Sequence, residues 1–157
     1  MTYLPSGLPH PVPERDGLST PYWQGLAAGK LMVQTCTACN QSQWGPEWIC
    51  HRCHSFTLTW REVMPSGTIY SWERVWHPSH PALANACPYL VALIAIDGCD
   101  GVRLIGNLLG NPLQDVVIGA AVEGVFEHHP SAGPPFSLLQ WRRVLPMTAG
   151  VPEHGQN

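Results

Sequence analysis

Along this chain apolar residues keep a helical spacing once and a strand-like alternation many times. Thr20 followed by Pro21 reads as a helix start, an N-cap hydroxyl with proline at the first helical position. Trp23, Leu26 and Ala27 supply an apolar face and Gly29 a stop, so the pattern predicts a short helix over 20–29. A helix of that length does not hold alone in water and must pack on something. Leu31 to Gln34 reads as a strand leading into Cys36, and 36–53 carry no periodic pattern. From Phe56 onward the alternation predicts strands near 57–64, 67–76, 88–96, 102–109, 121–127 and 136–142. Pro65-Ser66-Gly67 interrupts one long bent strand, with Gly67 permitting a bulge, and Asp97-Gly98-Cys99-Asp100-Gly101 is a hairpin connection. Gly119 opens the next strand, and the run from Ser131 to Pro135 breaks before the last one. Short strands with no second helix imply a mainly β fold built as a small closed barrel, OB-like at this size, with a split β-sandwich as the other architecture.

Proline crowds the N-terminus at Pro5, Pro9, Pro11 and Pro13, which denies residues 1–18 a helix and leaves them an extended arm. Met1 to Pro13 lacks the apolar stretch of an export signal. The longest apolar run, Tyr89 to Ile96, is far below the ~20 residues that cross a bilayer. The expectation is a cytoplasmic protein with no membrane span. The last residues, 145–157, have little apolar content and read as a mobile tail.

Composition sharpens the picture in one respect. Only 12% of the 157 residues are charged, about half the usual ~25% share, while 45% are hydrophobic and seven are tryptophan. A surface so poor in charge tends to be covered by something. Lys30 is the only lysine and the net charge is −3, which excludes a generic phosphate-binding surface as the default.

Four of the six cysteines form two CxxC pairs, Cys36-Thr37-Ala38-Cys39 and Cys50-His51-Arg52-Cys53, separated by ten residues. Two thiolates at this spacing reach one metal from a tight turn, and two such turns complete a four-sulfur tetrahedral shell. Zinc is the expected occupant. An iron-binding rubredoxin uses the same ligands but usually has glycine after the second cysteine of each pair, where this chain has Asn40 and His54. Asparagine tolerates the left-handed geometry required there. A shell of four sulfurs leaves no open position, so the metal is structural.

The remaining candidates read as structural. Cys99 has Asp97 and Asp100 beside it and no cation adjoining in sequence, and Cys87 precedes a proline, so both are inert thiols. Trp76-His77-Pro78-Ser79-His80-Pro81 has two histidines and a serine but no carboxylate close by, which favours a rigid proline-braced loop. His128-His129 reads as a solvated loop. Trp60, Tyr70, Trp72, Trp76 and Trp141 lie close to Arg61, Arg74, Arg142 and Arg143. Such interleaving serves single-stranded nucleic acid, a nucleotide-bearing cofactor, or simply a core and its rim. The acidic balance argues against nucleic acid.

The order of these parts resembles one family. Tyr22-Trp23, Gly29-Lys30-Leu31, the paired CxxC motifs and Gly67-Thr68-Ile69-Tyr70-Ser71 carry the resemblance. It continues through Tyr89 to Ile94, Val102 to Asn107, Ile118-Gly119, Val122 to Phe126 and Pro135-Phe136. Together they resemble the domain-of-unknown-function family thirty-five, a rubredoxin-like zinc ribbon followed by an OB-fold. The similarity spans about 19–143, with His51 where the family usually has proline. It implies an arm over 1–18, helix and zinc ribbon over 19–56, an OB-fold barrel over 57–144 and a tail over 145–157. It also implies a structural Zn2+ on Cys36, Cys39, Cys50 and Cys53.

By the same resemblance, the chain is a non-catalytic subunit in a hetero-oligomer with a thiolase-like protein, or beside a hot-dog-fold hydratase. It would help form the partner's acyl-CoA site for carbon–carbon bond cleavage or formation, as in a thiolase, an acyltransferase or a steroid side-chain aldolase. The partner would supply the reacting groups. A coenzyme A thioester touching this chain would meet Arg74, Arg103 and His77, with arginine as a phosphate fork. The rival readings are a stand-alone ribbon–OB module for single-stranded nucleic acid, an iron-bearing electron carrier, and an independent acyl-CoA enzyme using His77 or His80.

Overall fold

The computed structural model describes residues 8, 17–130 and 135–144. The rest of the expected arm, the expected tail and most of the Ser131–Pro135 break lie outside the described residues.

Helix α1 covers Thr20–Ala27. The expected N-cap shifts by one residue: Ser19 occupies that position, with Thr20 and Pro21 as the first two helical residues. The helix also ends short of 29, at a Schellman-type stop. Gly29 takes φ 71°, its N–H donates to Leu26 O at 3.1 Å, and Lys30 N donates to Gly25 O at 2.8 Å. Leu26, fully buried, ties the helix to the core.

Strand β1, Leu31–Cys36, runs two residues beyond the expected Gln34, up to the first ligand. A short strand β2, Ser42–Gln43, lies in the stretch without sequence periodicity. Strand β3, Leu58–Val63, completes a three-stranded antiparallel sheet in the order β2-β1-β3. The first alternating segment after Phe56 thus pairs with the cysteine-bearing strand, from Leu31 opposite Val63 to Cys36 opposite Leu58.

Beyond Met64 and Pro65 the chain enters a second sheet. It comprises β4 (Ser66–Val75), β5 (Tyr89–Ile96), β6 (Arg103–Asn107), β7 (Ala121–His129) and β8 (Phe136–Arg143), in the order β6-β5-β4-β7-β8. A parallel bridge between Leu108 and Trp141, with Leu109 N donating to Trp141 O at 2.8 Å, joins the two ends. A five-stranded Greek-key barrel of this kind is the OB architecture, and the split-sandwich alternative falls away. The expected bulge sits elsewhere. The register slips between Ile69 and Ser71, while Gly67 serves close approach: a Cβ there would lie 2.1 Å from Ala95 O.

The core is continuous across both sheets. Leu26, Leu31, Val33 and Val63 join Ile69, Leu90, Ile94, Val102, Leu104, Val122, Leu139 and Trp141 in one buried cluster. On β5, Leu90, Ala92, Ile94 and Ile96 point inward and are buried. Among the described residues no helix is long and apolar enough to cross a membrane.

Candidate metal centre and its surroundings

The two CxxC turns are built alike. Asn40 N donates to Cys36 O at 2.8 Å and Cys36 N to Gln41 O at 2.9 Å. In the second turn His54 N donates to Cys50 O, and Cys50 N to Ser55 O, both at 2.9 Å. Each turn closes through a residue at positive φ, 58° for Asn40 and 59° for His54. The four Sγ atoms of Cys36, Cys39, Cys50 and Cys53 lie within 4.8 Å of one another. Between the turns, Cys36 Sγ lies 3.6 Å from Cys53 Sγ and Cys39 Sγ 3.7 Å from Cys50 Sγ. A tetrahedral zinc with ~2.3 Å bonds sets its sulfurs about 3.8 Å apart, so these residues fit such an ion.

Electrostatics agree with that fit. The Cys53 amide, against the opposing effect of burial and with help from the Arg52 amide, holds the Cys50 thiol down at about 6. The Ser55 amide lowers the Cys53 thiol, yet the neighbouring Cys39 sulfur, burial, and the Cys36 and Cys50 sulfurs carry it up to about 12. Four thiolates this close repel one another, and a dication removes the conflict.

A pair of buried glutamines holds the loop between the turns. Gln34 and Gln43 face each other across β1 and β2, and Gln43 Nε2 donates to Gln34 Oε1 at 2.7 Å. Gln34 Oε1 also accepts from Glu47 N at 3.0 Å, and Gln34 Nε2 donates to Glu47 O at 2.9 Å. Gln43 Oε1 accepts from His51 N at 3.2 Å. The second turn is thereby fixed relative to the strand that carries Cys36. Sequence reasoning missed this network.

Arg74, Arg103 and His77 are not brought to one place. Arg74 lies opposite Leu90 at one end of β5, and Arg103 opposite Ala95 near the other. Arg74 Nε donates to Pro112 O at 2.8 Å and Nη2 to Gln114 O at 2.7 Å. Arg143 Nη1 donates to Asp115 O at 2.8 Å. The two arginines therefore pin the 108–120 segment, which exposes Leu113, Val117 and Ile118. Arg103 lies 3.8 Å from the Tyr70 ring centroid, a cation–π pair on the outer face. His77 is exposed just beyond β4.

Two other readings change. His128 and His129 end strand β7 instead of forming a solvated loop. His128 Nδ1 is 2.8 Å from Ser137 Oγ, and His129 Nε2 is 3.0 Å from Oε1 of the fully buried Glu127. Cys99 does have a cation beside it, since Arg61 Nη2 reaches its Sγ at 3.2 Å across 38 positions of sequence.

Comparison with known proteins also finds a ribbon and a barrel, with the boundary between the two family models falling within β3. Residues 23–59 match a family model described as the ChsH2 rubredoxin-like zinc ribbon domain, and 60–127 one described as the ChsH2 C-terminal OB-fold domain. A probable enoyl-CoA hydratase alpha subunit of Thermomonospora curvata is 33% identical over 115 residues, covering 73% of this chain and 34% of that protein. The chain thus spans about a third of the length of that curated relative. The fold also superposes on a chain of the Ltp2-ChsH2(DUF35) aldolase with a TM-score of 0.71 and 29% identity, over 85% of this chain and 98% of that one. A DUF35-family protein of unknown function from Sulfolobus solfataricus shares the fold at a TM-score of 0.53 and 16% identity, over 81% of this chain and 85% of that one.

Proposed function

Because the chain belongs to the family that joins a ChsH2-type zinc ribbon to a ChsH2-type OB-fold, we propose that it is a non-catalytic zinc-binding subunit of an acyl-CoA enzyme. Cys36, Cys39, Cys50 and Cys53 hold a structural Zn2+. The barrel docks on a thiolase-fold partner and helps shape its acyl-CoA site. The pair makes or breaks a carbon–carbon bond, as an aldolase, thiolase or acyltransferase does. The observation that carries this reading is the superposition of 85% of this chain on 98% of a chain of an aldolase.

Local chemistry supports each role. Four sulfur ligands leave a tetrahedral ion no vacant position, so zinc here organises the chain and does not polarise a substrate. The arginine-pinned segment presents Leu113, Val117 and Ile118 with its backbone already ordered, which lowers the entropic cost of docking. Arg103, resting on Tyr70, is the phosphate fork for coenzyme A. Arg74 acts through the segment it holds, and the exposed His77 lies beyond the same end of β4. The match to a chain of an aldolase supports a hetero-oligomeric partner, for which the family resemblance suggests a thiolase-like protein, and a hydratase subunit comes second because of the Thermomonospora curvata relative.

The test is affinity capture of this chain from its native lysate, mass spectrometry of the eluate, and an acyl-CoA lyase and condensation assay on the eluted pair. A stoichiometric thiolase-fold protein whose activity needs this chain supports the reading. Co-eluting nucleic acid without such a protein overturns it in favour of a binding module.

A further inference from the structure

The ribbon and the barrel are joined by a polar clamp as well as by the shared core. On the barrel side it grips the hairpin between β5 and β6, residues 97–101. Arg61, on β3, donates from Nη2 to Gly98 O at 2.8 Å and approaches Cys99 Sγ at 3.2 Å. The same guanidinium donates to Thr35 Oγ1 at 3.2 Å and Ser42 Oγ at 3.1 Å. Thr35 immediately precedes the ligand Cys36 and pairs with Ser42 in the ladder.

Gln41 forms the second arm of the clamp. Its Nε2 donates to Asp100 O at 3.0 Å, its Oε1 accepts from Arg52 Nη1 at 3.1 Å, and its carbonyl accepts from Cys36 N at 2.9 Å. One residue therefore touches the first turn through its carbonyl, and the second turn and the barrel hairpin through its side chain.

We propose that the 97–101 hairpin is the element through which the barrel reads the metal state of the ribbon, with Arg61 and Gln41 as its positioning residues. The metal fixes both CxxC turns, and those turns fix the hydroxyls, carbonyl and carboxamide that hold the hairpin. Loss of the metal frees Gln41 and Thr35 from their places, and the carbonyls of Gly98 and Asp100 lose their donors. Arg103 follows two residues after Gly101, so the change reaches the outer face of β6. Strands β7 and β8 make no part of the clamp and keep their order.

The inference rests on reading the four cysteines as a metal centre, so zinc content of the full chain is measured first by elemental analysis. About one zinc per chain separates failure of that reading from failure of this one. Amide hydrogen exchange is then followed with and without a chelator. The expected result is at least tenfold faster exchange at Cys99 and Val102, along with 36–55, while 122–128 and 137–142 hold their protection. In zinc-loaded Arg61→Met/Gln41→Ala, the hairpin exchanges fast although the zinc stays bound. Unchanged hairpin protection on chelation, uniform loss across the barrel, or a protected hairpin in the zinc-loaded double variant would each overturn the proposal.

Discussion

After the second cysteine of each CxxC turn, the backbone enters the left-handed region, where an L side chain costs about 1–2 kcal/mol and glycine costs almost nothing. Asn40 meets that demand with a short polar side chain, whereas His54 carries a larger strain. His54→Gly should therefore stabilise the zinc-loaded protein by roughly 0.5–1 kcal/mol in urea unfolding, and His54→Val should cost about 1 kcal/mol or more. The glutamine pair makes a different demand. Gln43→Ala takes one hydrogen bond from the buried Gln34 carboxamide, which keeps both of its bonds to Glu47, and removes the acceptor of His51 N, at about 0.5–1.5 kcal/mol per bond lost. Competition with a chromophoric chelator should show zinc held at least tenfold more weakly, with the melting signal of the barrel nearly unmoved. Asn40's tolerance of positive φ was legible in the sequence because the requirement belongs to one residue. The glutamines were not, since only the β1–β2 register makes Gln34 and Gln43 neighbours.

Strands with one buried face announce themselves by alternation, and β4 to β8 fall within a few residues of where that alternation puts them. What alternation does not reveal is which ladder a strand joins. Strand β3 reads like a barrel strand, yet its partner is the cysteine-bearing β1. Strand β2 is two residues long and has no period to read. Gly67 was legible as a special position, but for the wrong cause, because only the fold shows Ala95 O filling the place a Cβ would take. Gly67→Ala should thus behave as overpacking and cost about 1–3 kcal/mol, measured by urea unfolding, without altering zinc content. The 108–120 segment shows the same division. Its apolar residues are visible in the sequence, but the arginines that immobilise it come from β4 and β8. Val117→Asp and Ile118→Asp should leave thermal stability within about 0.5 kcal/mol, since both side chains are exposed. They should weaken capture of the proposed thiolase-fold partner at least tenfold, as read by surface plasmon resonance.

For the molecule as a whole, the scarcity of charge decides between apolar docking and phosphate tracking. A chain with one lysine, a net charge of −3 and exposed Trp48, Phe56, Leu113, Val117 and Ile118 has little with which to neutralise a phosphate backbone. A nucleic-acid module that makes six to ten phosphate contacts loses roughly a thousand- to a hundred-thousand-fold in affinity between 50 and 200 mM salt. An interface driven by apolar burial responds in the opposite sense or hardly at all, because its energy comes from area removed from water. The Kd for the proposed thiolase-fold partner should therefore change by less than about threefold over that salt range. Single-stranded oligonucleotides should show no saturable binding at either end. Acid tests the same assembly through its metal. All four sulfurs must be deprotonated to hold zinc, so affinity for the ion falls as pH falls. A partner complex that depends on an ordered ribbon should then dissociate in step with zinc release, and at pH 7 a chelator should reproduce the effect. Zinc release with the complex still intact on a sizing column would mean that the barrel alone carries the interface.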